Sequence, residues 1–122
     1  MAIEHAASGQ VVNIRHPAGQ LAQARSAALC KTRDLEVMLL VIPAGRSLPP
    51  HHVRGDITVQ CLDGEVEMLA GGQPRQLGAG QLLWLGGGVQ YAIKALRDSS
   101  LLVTIAMPAA DKYDGQPQSA TS

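Results

Sequence analysis

The sequence predicts an all-β, antiparallel fold built as a single domain. Short apolar runs follow one another along the middle of the chain, each closed by Gly, Pro or Asp, at the spacing typical of a β-barrel or sandwich. Helical periodicity is hard to find. The 122 residues suffice for one core but not two, and 46% of them are hydrophobic, with no Phe and one Trp. This composition predicts a folded core of aliphatic side chains.

The apolar runs define nine candidate strands between marked turns. Glycine pairs and Asp-Gly supply the positive φ angles of tight hairpins, so the breaks are better defined than the strand ends. The predicted strands are Ala27 to Cys30, Leu35 to Ile42, Ser47 to Val53, Ile57 to Leu62, Glu65 to Leu69, Arg75 to Leu77, Leu82 to Leu85, Tyr91 to Leu96 and Leu101 to Ala106. The predicted turns are Pro43-Ala44-Gly45, Asp63-Gly64, Gly71-Gly72, Gly78-Ala79-Gly80, Gly86-Gly87-Gly88 and Asp98-Ser99-Ser100.

Both ends of the chain differ in composition from its centre. Residues 1–20 mix small, polar and turn-forming types, and we expect a loose arm with one edge strand at Val11 to Ile14. Residues 21–107 are expected to form the barrel. Residues 108–122 contain almost nothing apolar, so burial there cannot offset the entropy cost of ordering, and a flexible tail is predicted.

Two patterns indicate how the strands are covered. Glu65-Val66-Glu67-Met68 alternates acidic and apolar side chains, which predicts a strand with one exposed face. Leu35 to Ile42 and Leu101 to Ala106 are apolar runs without such alternation, which predicts strands covered on both faces by a second sheet or another subunit. A homodimer is therefore expected.

Charge and composition exclude several classes of partner. Ten basic and ten acidic side chains give a net charge of zero, and no basic cluster is interleaved with aromatic residues, so nucleic acid is not expected as a partner. No apolar run approaches the roughly 20 residues of a membrane helix. The first ten residues lack the basic start and apolar centre of a secretion signal, so we expect a cytoplasmic protein in which Cys30 and Cys61 are reduced thiols.

Two segments have a recognisable spacing. Gly45 is followed by five residues, then by His51, His52 and Val53, and Ile57 comes four residues after Val53 and seven before Gly64. Further on, Gly80 precedes five residues, three glycines at 86–88, two residues and Tyr91. These spacings resemble the two motifs of the cupin superfamily, which are small jelly-roll barrels also called double-stranded β-helices. The resemblance runs from about Ala27 to Ile105 and implies a single-domain cupin barrel.

The resemblance keeps the spacing of a metal site while losing most of its ligands. Cupin metals are held by three imidazoles and a carboxylate; here His51 stands at the first His, Val53 at the second, Ile57 at the carboxylate and Tyr91 at the last His. Val53 and Ile57 cannot coordinate, and a Tyr phenol ordinarily keeps its proton up to a pH of about 10. We therefore expect no metal and no other cofactor. If a divalent transition metal does bind, His51 or His52 would hold it, although neighbours on a strand point to opposite faces and only one can point inward.

The strand pattern implied by the resemblance predicts a set of pocket residues. They are His51, Val53, Ile57, Val59, Cys61, Tyr91 and Ile93. Together they would make an apolar chamber with two polar tips, which suits a small, mostly apolar ligand held by a few hydrogen bonds. In the alternative interpretation, His51 and Tyr91 are ordinary core residues whose polar atoms bond to backbone or water. The sequence does not separate the two.

Three functions remain open at this point. We favour a non-catalytic cupin that binds a small molecule in a barrel without a functional metal site. The second hypothesis is an enzyme, either a metal-dependent oxygenase or isomerase with altered ligands, or a metal-free isomerase in which His51 and Tyr91 act as base and acid, as in sugar epimerases of similar fold. The third is a homodimeric interaction module. Trp84 is expected to pack, with ligand stacking as the alternative.

Overall fold

Nine strands form in the computed structural model, which describes residues 5–15 and 25–107. No helix occurs in either of these two ranges. The strands are β1 (Ala27–Lys31), β2 (Leu35–Ile42), β3 (Ser47–His51), β4 (Ile57–Asp63), β5 (Glu65–Ala70), β6 (Gln73–Gly78), β7 (Leu82–Leu85), β8 (Tyr91–Ala95) and β9 (Ser99–Ala106). Every strand predicted in the region 27–106 is present, and no strand boundary differs from the prediction by more than two residues.

The strands form two antiparallel sheets that enclose the core. One sheet has the order β1-β2-β9-β4-β7 and the other the order β3-β8-β5-β6. Consecutive strands β4 and β5 lie in different sheets, as do β2 and β3, so the chain crosses repeatedly between the two layers. This arrangement confirms the predicted all-β, antiparallel barrel.

The core consists of the inward-facing side chains of both sheets. Alternate residues of each strand point inward, as the period of two requires. The buried cluster contains Ile42, Ile57, Val59, Cys61, Val66, Met68, Leu77, Tyr91, Ile93, Ala95, Leu101, Val103 and Ile105. In β5, Val66 and Met68 are fully buried while Glu67 is exposed, which confirms the predicted half-exposed strand.

The edge strand predicted at Val11 to Ile14 is wrong. Those residues form no strand, and Val11 is 90% exposed. The amide of Ala6 donates to the carbonyl of Leu29 in β1, but a turn with Gly9 at positive φ follows, and no ladder continues beyond it. Apolar alternation makes a strand only where a neighbouring edge is present to pair with it. The whole of the predicted tail, residues 108–122, lies outside the described residues, as do residues 1–4 and 16–24.

Two strand ends depart from the prediction for identifiable reasons. Ser99 and Ser100, expected in a turn, begin β9 as buried residues because their hydroxyls find partners: Ser99 Oγ accepts from the Glu65 amide at 3.0 Å, and Ser100 Oγ donates to the Asp63 carboxylate at 3.3 Å. Strand β3 ends at His51 instead of Val53. It is an edge strand, and its pairing shifts register between Leu48 and His51, where two prolines have no amide to donate.

Gly64 connects the two sheets where β4 turns into β5. Its φ is +87°, a conformation that side chains disfavour. A Cβ atom there would collide with the Asp98 carbonyl and with Ser99. The last glycine of the first sequence motif is therefore required by both backbone conformation and close packing.

A membrane-spanning helix is not found in the part of the chain that the structure describes.

Candidate functional site

The ends of β3 and β8 bring His51 and Tyr91 together at one end of the barrel. The two residues are direct partners across the ladder, and their rings meet edge to face with centroids 5.7 Å apart and planes at 81°. Tyr91 is buried, with 8% of its surface exposed, whereas His51 is exposed. The pair therefore forms a contact at the barrel end, with the imidazole on the solvent side.

Four of the predicted pocket residues are packed in the core. Ile57, Val59 and Cys61 point inward from β4 and Ile93 points inward from β8, and each has at most 2% of its surface exposed. All four belong to the hydrophobic cluster that also contains Tyr91. Protein interiors pack densely, so these side chains fill space that a wider barrel would leave open.

Val53 sits where the core meets the surface. It follows the end of β3, is half-buried and packs against the core cluster. Its carbonyl accepts a hydrogen bond from the Gly88 amide at 2.7 Å, and the Asp56 carboxylate accepts one from the Gly87 amide at 3.0 Å. These bonds fix the loop after β3 against the glycine turn. They also occupy two of the amides that a phosphate-binding loop would need.

A cavity of about 230 Å³ opens at this end of the barrel, and we call it the mouth cavity. Three of its lining side chains carry a charge or can acquire one. The floor of the cavity is apolar. The lining residues are Glu36, His52, Val53, Arg54, Gly55, Ile105, Ala106 and Met107. Of the seven predicted pocket residues, Val53 alone borders it.

The mouth cavity separates the roles of the two adjacent histidines. His52 lines the cavity, while the ring of His51 lies against Tyr91. Both side chains are exposed, so neither points into the packed interior. As expected for neighbours on an extended chain, the two imidazoles point to opposite sides. His52, and not His51, points to the side that borders the mouth cavity.

Of the residues that line the mouth cavity, only His52 and Val53 were site candidates from the sequence, and Glu36 and Met107 are among those that were missed. Glu36 pairs with Ile105 across β2 and β9, on the side of the sheet that faces the barrel interior. The signal was available, since Glu36 is a single charge within the apolar run of β2. Met107 directly follows β9, and its amide donates to the Asp34 carbonyl at 2.9 Å, which holds the end of the strand in place. Nothing in the sequence marks Met107 as different from other apolar residues.

Burial affects the chemistry of two titratable groups in the core. Desolvation raises the pKa of the Tyr91 phenol above its ordinary value of 10.0. The pKa of the Cys61 thiol is also raised, first by burial and then by the nearby carboxylates of Asp63 and Glu65. At neutral pH both groups are protonated, so Tyr91 is not an anionic ligand and Cys61 is not a nucleophilic thiolate.

The side chains at the motif positions do not fit a cupin metal. Three or four donors must converge on the ion, and here Val53 and Ile57 offer none while Tyr91 holds its proton. Within residues 5–15 and 25–107, no group of three or more His, Cys, Asp and Glu side chains is placed to hold an ion. His52 and Glu36 share the mouth cavity but make at most two donors.

Solved structures of other proteins share this architecture. The chain is similar to a conserved protein of unknown function from Streptococcus pyogenes, with a TM-score of 0.69 and 20% identity over 88% of this chain and 96% of that one. It is similar to a cupin superfamily protein from Desulfitobacterium hafniense (TM-score 0.68, 17% identity, 82% of this chain and 100% of that one). A third similar structure is the Cnp3 cupin domain of Schizosaccharomyces pombe (TM-score 0.67, 19% identity, 79% and 74%).

At these identities the likeness bears on fold alone. No protein-family model and no curated protein matches the chain.

Proposed function

We propose that this chain, which has the fold of the cupin superfamily, binds a small, mostly apolar molecule at the mouth of its barrel without a bound metal. The observation that carries the proposal is the mouth cavity, where an apolar floor lies beside His52, Arg54 and Glu36. A largely apolar pocket with a few polar groups is the usual form of a small-molecule site.

The size and lining of the mouth cavity limit the ligand. Its volume of about 230 Å³ is below the range of roughly 300 to 1,000 Å³ for drug-sized ligands, so a molecule of a few carbon atoms fits best. Val53, Ile105 and Met107 offer contacts to its apolar part. A carboxylate or a carbonyl on the ligand would accept hydrogen bonds from the Arg54 guanidinium and from a ring N–H of His52.

We propose binding without a metal because of the side chains at the motif positions. One exposed imidazole and one protonated phenol cannot replace three imidazoles and a carboxylate. Binding therefore has to rely on shape, apolar contact and hydrogen bonds. This is the chemistry of a binding protein, and it favours that hypothesis over a metal-dependent oxygenase.

The arrangement of His51 and Tyr91 speaks against a metal-free isomerase. A base and an acid that act on one substrate stand on either side of it. Here the two rings are in edge contact, with centroids 5.7 Å apart, which leaves no room for a substrate between them. Burial raises the pKa of the Tyr91 phenol, which keeps it protonated but makes it a weaker proton donor at neutral pH, so the shift does not favour this second function either.

A thermal-shift screen tests ligand binding directly. The probes are a panel of small organic acids, each paired with its neutral amide, because a ligand that binds the folded form raises the apparent melting temperature with its concentration. We expect a stabilising acid whose amide stabilises less. The effect should be lost in His52→Gln and in Met107→Asp, while Arg75→Gln on β6, which removes a charge away from the mouth, should keep it.

Two outcomes would contradict the proposal. One is the absence of any stabilising probe across the panel, which favours the interaction module. The other is a stabilising probe whose effect survives both mouth substitutions but is lost in His51→Gln, since the ligand would then sit at the His51 and Tyr91 contact. We also propose that the chain is a homodimer, for which the apolar β2 and β9 are the supporting observation.

A further inference from the structure

The outer face of the five-stranded sheet exposes large apolar side chains. Trp84 is 65% exposed, Leu82 is 56% exposed and Leu35 is 37% exposed. All three lie on the side of the sheet that faces away from the core. Each is paired in the ladder with a residue of β4 or β9 whose neighbours along the strand are buried, so the paired residues point outward. Single exposed hydrophobes are ordinary, but three on one face of one sheet form a patch.

The ladder register joins these side chains into two uncharged rows. Residues directly opposite one another on adjacent strands share a face, so each row can be read across β7, β4, β9 and β2. The first row is Trp84, Thr58, Thr104 and Val37, and the second is Leu82, Gln60 and Leu102, ending at Leu39, which is already covered with 3% of its surface exposed. Neither row contains a charged side chain. We call these two rows together with Leu35 the outer face patch.

A recess lies beside Trp84 on the same patch. It has a volume of about 280 Å³ and is lined by Leu35, Asp56, Ile57, Thr58, Trp84, Thr104 and Ala106. The patch therefore carries both a projecting indole and a hollow next to it. A surface with this property is complementary to itself when a two-fold axis passes between the two features.

We propose that a second copy of this chain docks on the outer face patch, with Trp84 of each copy in the recess of the other. The inference rests on the homodimer proposed above and specifies which surface forms it. The net charge of zero produces no overall repulsion between the copies. An interface core depleted of charge and centred on Trp is the usual composition of a stable contact.

The exposed area is consistent with a dimer. Trp84, Leu82 and Leu35 together expose on the order of 300 Å² of the roughly 800 Å² that a stable interface buries on each partner. The half-buried members of the rows, among them Val37, Leu102 and Thr104, supply further area around them. A small ligand in the recess would not cover Leu82, which does not line it. A second copy covers the recess and Leu82 together.

The single tryptophan makes the proposal measurable without any substitution. Trp84 is the only tryptophan of the chain, so indole emission reports on this one position. We expect the emission maximum of the wild-type protein to move to longer wavelength on dilution, at the same concentrations at which sedimentation velocity shows the dimer becoming a monomer. Coincidence of the two transitions places the indole in the interface.

A pair of matched variants provides the second measurement. Trp84→Glu puts a charge into the patch and should weaken self-association by roughly 30-fold or more. Leu69→Glu puts the same charge on β5, at a leucine that is 47% exposed on the other sheet, and should dimerise as the wild type does. Circular dichroism and thermal unfolding establish that each variant is folded.

Three outcomes would overturn the proposal. They are a wild-type protein that is monomeric at all concentrations, a dimer whose dissociation leaves the indole emission unchanged, and a dimer that Leu69→Glu disrupts while Trp84→Glu does not. Loss of dimerisation with intact ligand stabilisation, or the reverse, separates this proposal from ligand binding at the mouth cavity. The recess and the mouth cavity share Ala106, but neither Trp84 nor Leu82 lines the mouth cavity.

Discussion

Gly64 shows how a single residue can determine the connection between the two sheets. Its positive φ is one requirement, and the approach of the Asp98 carbonyl and Ser99 is a second, independent one. The buried Ser99 hydroxyl also accepts from the Glu65 amide, so the turn, β5 and the start of β9 are tied together at this point. The glycine at the end of the first motif is thus explained by structure and needs no role in ligand binding.

Replacement of Gly64 by alanine should strongly destabilise the protein. We expect a loss of about 2 to 4 kcal/mol in the free energy of unfolding, from backbone strain plus the collision of the new Cβ. Gly72→Ala is the matched control, because Gly72 has a similar φ of 85° but no atom within 4 Å of an added Cβ. Its cost should be about 1 kcal/mol. Urea unfolding measures both, and equal losses would contradict the role assigned to packing.

The buried phenol and thiol predict that the protein loses stability in alkali. The pKa values of Cys61 and Tyr91 are raised in the folded state, from 9.0 and 10.0 respectively. Above about pH 9 the unfolded chain therefore holds fewer protons at these groups than the folded one, and the free energy of unfolding falls as the pH rises. Below that pH their contribution is constant.

Urea unfolding at a series of pH values from about 7.5 to 10.5 tests this prediction. In Cys61→Ala the decline should be shallower, because one of the two buried groups is gone. Cys30→Ala is the control, since Cys30 is only partly buried, and it should decline as the wild type does. A Cys61→Ala protein with an unchanged slope would show that the thiol contributes nothing to the alkaline loss.

At the scale of the strands, turn residues were the most informative part of the sequence. Asp63-Gly64, Gly71-Gly72 and the turns that end at Gly45, Gly80 and Gly88 each contain a glycine at positive φ, and the strands between them were predicted with small errors. The strand predictions that were wrong failed because they depended on contacts with residues distant in sequence. Val11 to Ile14 had the composition of a strand but do not pair with an edge of either sheet, and Ser99 became part of β9 because Glu65, distant in sequence, satisfies its hydroxyl.

The candidate site could be predicted less well than the fold. Motif spacing put His51 and Tyr91 in one predicted pocket, and in the structure the two residues are ladder partners whose rings are in contact. It did not indicate that Val59 and Cys61 would be fully packed, since packing density depends on all strands together. Nor did it reveal that Glu36 and Met107, from strands remote in sequence, would line the mouth cavity.

The centre of the five-stranded sheet should be the most sensitive element. In β9, Leu101 is fully buried and lies opposite Cys61 of β4. Leu101→Ala should cost about 2 to 5 kcal/mol, because it removes buried apolar atoms and leaves a cavity. Leu69→Ala on the exposed face of β5 is the control, with an expected cost of at most about 0.5 kcal/mol. Urea unfolding would contradict this account of the core if the two costs were similar.

For the molecule as a whole, the structure combines a cupin fold with an interior closed by aliphatic side chains. Strand order, turns and the motif glycines are those that the fold requires, whereas two ligand positions of the usual metal site hold Val53 and Ile57. Within the described part of the chain, the mouth cavity opens at one end of the barrel and the outer face patch lies on the larger sheet, and the two meet at Ala106. We propose that ligand binding belongs to the first and self-association to the second.

The most direct test of this account is the metal content of protein purified without an affinity tag. Elemental analysis should follow incubation with iron, nickel, manganese and zinc and removal of the unbound ions. We predict far less than one ion of any of these metals per chain, because only one of the four motif positions carries an imidazole. About one ion per chain, retained by the wild type and lost in His51→Ala or His52→Ala, would contradict the central claim.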